Sequence, residues 1–73
     1  MKFTIKTEGL HCGHCDAAVE SALLNVEHVT DADADHETNV VVAECDEVVA
    51  PEDLIAAVEG AGEGFKVVDI QVA

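Results

Sequence analysis

The hydrophobic period of this chain switches between two and about 3.6 residues, and the order of the switches limits the fold class more tightly than any other feature. Lys2 to Thr7 alternates, with Phe3, Ile5 and Thr7 on one face and Lys2, Thr4 and Lys6 on the other. Beyond Gly9 the spacing lengthens. Cys15, Ala18, Val19, Ala22, Leu23 and Val26 recur at helical spacing as one apolar stripe, with Glu20, Ser21 and Asn25 on the wet side. Val29 to Asp35 returns to period two, setting Ala32 and Ala34 between aspartates, and Asp35-His36-Glu37-Thr38 reads as a polar hairpin tip. Val40 to Cys45 is a nearly continuous apolar run, which predicts a central strand. Pro51 suits a first helical turn, where Glu52 and Asp53 meet the positive end of the helix dipole, and Leu54, Ile55, Val58 and Ala61 form the second stripe. Gly60, Gly62 and Gly64 end that helix, and Phe65 to Val72 is the last strand, with Val68, Ile70 and Val72 on one face.

The resulting order, βαββαβ, is the split-βαβ pattern of a ferredoxin-like α+β fold. Two right-handed crossovers put both helices on one face of a four-stranded antiparallel sheet, with strand order 4-1-3-2. Residues 1–73 form a single domain, with no internal linker. In that topology Gly9 to Cys15, Asp35 to Thr38 and Gly62 to Phe65 share one end, while His28 and Cys45 lie at the other.

Composition matters because it could defeat this reading. The formal charge is −13, from sixteen Asp and Glu against three lysines. Disorder requires low hydrophobicity as well as high charge, and here 49% of the residues are apolar and fall in periodic blocks. A folded domain with an acidic skin follows. At this size only about 60% of the unfolded chain's surface is buried, so its stability is slender. The lack of any basic stretch argues against a nucleic-acid surface. No apolar run approaches the roughly 18 residues needed to span a bilayer, so membrane insertion is not expected. The N-terminus lacks a signal-peptide core, which predicts a cytoplasmic protein. There, cysteines at C-x-x-C spacing suit a metal or redox site better than a disulfide framework.

The chemistry is concentrated in Gly9-Leu10-His11-Cys12-Gly13-His14-Cys15. Cys12 and Cys15 can close on one ion because the backbone between them turns into the first helical turn, whose N–H groups and dipole favour thiolates. Gly9 and Gly13 are expected to let the loop bend. Two soft thiolates suit Cu(I), which accepts low coordination. Zn(II) is the alternative on the same fold, with His14, a carboxylate or water completing four ligands. Dithiol–disulfide exchange is the third reading. It normally comes with a longer chain and a proline beside the dithiol, whereas the only proline here, Pro51, opens the other helix. His14 reads first as a solvated spacer and second as an auxiliary ligand; His11 and His36 read as surface residues. Cys45 reads as a buried small hydrophobe, and Asp16 as a charge complementing the helix dipole.

These residues resemble the heavy-metal-associated domain, found as free cytosolic copper chaperones and as N-terminal domains of metal-transporting P-type ATPases. The family pattern G-M-x-C-x-x-C appears here as G-L-H-C-G-H-C, and the resemblance extends through Pro51-Glu52-Asp53-Leu54 to Gly64-Phe65. It implies metal ligation by Cys12 and Cys15, Leu10 packed beneath the loop in place of the usual Met, and Phe65 near the metal where Tyr or Lys is common. It also implies a P-type ATPase or its metal-binding domain as the receiving partner, and leaves a metal-bridged homodimer open. A Met just ahead of the first strand and an end at the last strand suit a free chaperone better than a domain cut from an ATPase. The resemblance implies a metal carrier rather than an enzyme. The acidity points to a halophile's cytosol, where molar salt shortens the Debye length to about 3 Å. Docking is then expected to rest on short-range contacts around Leu10, His14 and Phe65.

Overall fold

The computed structural model describes residues 1–11, 13–62 and 64–72. Its elements run β1 (Lys2–Glu8), α1 (Gly13–Leu24), β2 (Val29–Asp35), β3 (Val40–Cys45), α2 (Pro51–Gly60) and β4 (Lys66–Val72). The strands form one antiparallel sheet in the order β2-β3-β1-β4, the ferredoxin-like arrangement expected from the sequence.

Register explains how the helix-facing side of the sheet is built. Ala34, Val41, Ile5 and Ile70 stand opposite one another in a row across all four strands, and Ala32, Ala43, Phe3 and Val72 make the next row. Val19 and Leu23 of α1 and Leu54 and Val58 of α2 close over these rows, fully buried with Phe3 and Ile5. Each such side chain withdrawn from water contributes about 1.5–3 kcal/mol. Cys45 is buried in the same core, as expected, and burial pushes its thiol pKa up.

Two expectations about facing are corrected. Val68 does not share a face with Ile70 and Val72. The β1–β4 register shifts between Lys6 and Thr7, so Thr7 pairs with Val67 while Lys6 pairs with Asp69. The skipped Val68 is left exposed, and Val67 packs inward in its place. Nor is Glu20 simply a wet-face residue, since its Oε2 accepts a hydrogen bond from the Ala34 N–H at 2.9 Å. Glu59 on α2 does the same for Val67 N–H at 3.1 Å. Both donors belong to the outer strands of the sheet, whose free N–H groups would otherwise face solvent.

Candidate metal centre

The three segments expected to share one end of the molecule do so. They are tied together by backbone geometry and by a single asparagine. Gly9 leaves β1 at φ +99°, and a Cβ there would stand 2.3 Å from the carbonyl oxygen of Gly64, itself at φ +87°. No side chain fits that approach, so Gly9 is required both by conformation and by space. Gly13 differs: its φ is not positive and nothing lies within 4 Å of an added Cβ, so the expected conformational role there is not borne out.

Asn39 closes the hairpin between β2 and β3 in the left-handed region at φ 54°, which asparagine tolerates better than most residues. Its backbone oxygen accepts from Thr7 N–H at 2.8 Å and from the Thr7 hydroxyl at 2.9 Å. Its side-chain Oδ1 accepts from Leu10 N–H at 3.1 Å. The loop carrying the cysteine motif is thereby fastened to the neighbouring turn. Leu10 itself is only 3% exposed and belongs to the core. The packing role implied for it stands, but the docking role does not, because a buried side chain has no surface to offer.

Around this frame, His11 and His14 are exposed and Cys15 is half-buried in the first turn of α1, packed against the core. Cys12 lies outside the described residues. Among the described residues, no three His, Cys, Asp or Glu side chains form a group able to hold a metal ion. Phe65 is half-buried against the core, its ring lying over Gly62, where an added Cβ would meet ring carbon Cε2 at 2.8 Å.

Sequence reasoning missed one pairing at this end. Asp16, on the first turn of α1, accepts a hydrogen bond on Oδ2 from His36 Nδ1 at 2.7 Å. An ionised carboxylate can only accept, so Nδ1 carries the proton. This bond raises the His36 pKa above its usual 6.5; desolvation opposes it, and the charges of Asp16, Glu37 and Asp35 add to the rise. The other oxygen, Asp16 Oδ1, is buried with no hydrogen-bond partner among the described residues. At the far end, His28 sits among Glu27, Asp46 and Glu47, and its carbonyl accepts from Asp46 N–H.

A small α+β sandwich whose cysteine-bearing loop opens the first helix is a recognised class of metal-handling domain. This chain belongs to the heavy-metal-associated domain family, which it matches over residues 4–64. It is 42% identical to the copper chaperone CopZ of Staphylococcus aureus over 59 residues, 80% of this chain and 87% of that protein. A solved CopZ metallochaperone superposes with a TM-score of 0.84 at 39% identity, covering 93% of this chain and 100% of that one. A copper binding domain from HMA7, a P-type ATPase, also reaches 0.84, at 30% identity over 97% of this chain and 93% of its own.

Proposed function

We propose that this chain is a copper carrier in which Cys12 and Cys15 hold one Cu(I) ion at the start of α1 and release it to a metal-transporting P-type ATPase. The observation that carries the reading is the 42% identity with a copper chaperone across 80% of the chain. Cys15 is in the first turn of α1, where the leading backbone N–H groups and the helix dipole attract an anionic unit such as a bis-thiolate Cu(I) centre. The fastening of Leu10 to Asn39 gives the motif a fixed platform. Cargo passes by thiolate exchange through two- and three-coordinate intermediates, without free ion, and no bond of a substrate is made or broken as an enzyme would do. Contact with the partner falls to His11, His14 and the exposed part of Phe65, in the cytoplasm.

Anaerobic titration with Cu(I) and Zn(II) under competing chelators tests this. Wild type should take up one Cu(I) tightly, and Cys12→Ser should weaken binding by more than about 100-fold, beyond the 10–100-fold typical of losing a mere supporting group. Comparable Zn(II) affinity that falls in His14→Ala would move the reading to zinc. No tight binding of either ion, with a readily cycled disulfide, would replace it with redox exchange.

The acidic surface supports a second part of the proposal, adaptation to molar salt. The described ion pairs all involve histidine, and Asp31, Asp33 and Asp35 line the exposed positions of β2. With so little internal compensation, screening must come from the solvent. The apo protein should lose helical and strand signal by circular dichroism when salt is reduced to millimolar levels. Full structure in that buffer would remove this part of the reading.

A further inference from the structure

The Asp16–His36 pair sits in the first turn of α1, where the helix dipole favours a carboxylate but the proposed thiolates would oppose one. Asp16 follows Cys15 directly, so its charge rides on the same helical turn as the thiol. Its side chain is 17% exposed and one of its oxygens is shielded without a partner. A desolvated carboxylate is costly unless paired. Unpaired, it would also oppose the negative charge of two thiolates and of the anionic unit they form with Cu(I). The compensating group comes from twenty residues away, on the hairpin tip, as an imidazole 2.7 Å from Oδ2.

We propose that His36 is a positioning residue of the metal loop, its imidazole anchoring the Asp16 carboxylate toward the hairpin so that this charge does not stand free beside the thiolate pair. The inference rests on the copper-carrier reading. It differs from a merely structural strap between helix and hairpin in one respect. If the charge of Asp16 is what His36 controls, removing that charge should make His36 dispensable.

The test is a chelator-competition measurement of Cu(I) affinity at neutral pH, in salt that keeps the wild type folded. It compares wild type, His36→Ala, and His36→Ala combined with Asp16→Asn. His36→Ala should bind about 3- to 10-fold more weakly, and the double variant should return to within about 2-fold of wild type. His36→Gln, which can still donate to Asp16, should lie between wild type and His36→Ala. An unchanged His36→Ala, or a double variant as weak as the single one, overturns the proposal. If the wild type takes up no copper, the carrier reading fails, and the pair is judged on the apo protein by amide hydrogen exchange in the first turn of α1. Faster exchange in His36→Ala than in wild type then sustains the anchoring, and equal rates refute it.

Discussion

Both helices leave a strand and begin on the same unsatisfied N–H groups, yet they treat that positive end in opposite ways. At α2, Ala50 caps without a side-chain hydrogen bond, Pro51 removes one orphan donor, and Glu52 and Asp53 supply negative charge from within the chain. At α1, the first turn is Gly13-His14-Cys15-Asp16, and its one carboxylate is drawn to His36 on another element. The α2 start is complete as it stands. At the α1 start the carboxylate is held by a hydrogen bond from the hairpin, which would leave the positive end to the thiolates proposed above. Identical backbone physics thus yields one terminus closed by its own acid side chains and one whose acid is tied to another element, where the proposed metal site lies.

The largest expected break in this contrast is Gly9→Ala. The left-handed backbone and the 2.3 Å approach to Gly64 O together should cost about 2–5 kcal/mol. Against a total of about 4–11 kcal/mol for a chain of this size, urea unfolding should reveal a severely weakened or unfolded protein. Gly13→Ala, in open space, should instead gain up to about 1 kcal/mol by the same measurement, because alanine is the better helix former. Asp53→Asn should weaken α2 by about 0.3–1 kcal/mol at low salt and by less as salt rises, with no effect on metal uptake.

The smallest effect is a pH dependence at the other terminus. The folded-state pKa of His36 is raised, chiefly by its bond to Asp16, with the charges of Asp16, Glu37 and Asp35 around it. Its contribution is therefore fully present below the unfolded value near 6.5 and fades as pH rises through the higher folded value. The gap in melting temperature between wild type and His36→Ala should be widest in mild acid and close toward alkaline pH. A gap that widens with pH would contradict the pairing.

The alternation of periods made the fold readable, since Phe3, Ile5, Val19, Leu23, Leu54 and Val58 all entered the core from the faces their spacing assigned. Val68 escaped because period-two reasoning assumes an unbroken register, and the shift opposite Lys6 and Thr7 breaks it without any local mark. The cysteine motif announced the site, but its support did not. Asn39 carried a usable signal, an asparagine ending a polar turn, where a left-handed residue is common. The pairs Asp16–His36 and Glu20–Ala34 join positions far apart in sequence, and neither composition nor spacing specifies which helix carboxylate meets which turn. Gly13 misled for a simpler reason: a glycine in a loop motif invites a conformational explanation that its actual φ does not require.

The carboxylates of Glu20 and Glu59 on the N–H groups of β2 and β4 bear on how this protein survives crowding. In concentrated salt the mutual repulsion of acidic molecules reaches only a few ångströms, and burial of apolar groups is favoured if the salt is kosmotropic. Two exposed sheet edges would then be free to stitch one molecule to the next. Hydrogen bonds at 2.9 and 3.1 Å lie within even that shortened range, so each helix still occupies one N–H of its neighbouring edge in strong salt. Charge at long range keeps such molecules apart in dilute buffer; where salt screens it, two side chains already seated on the strands take a share of that task.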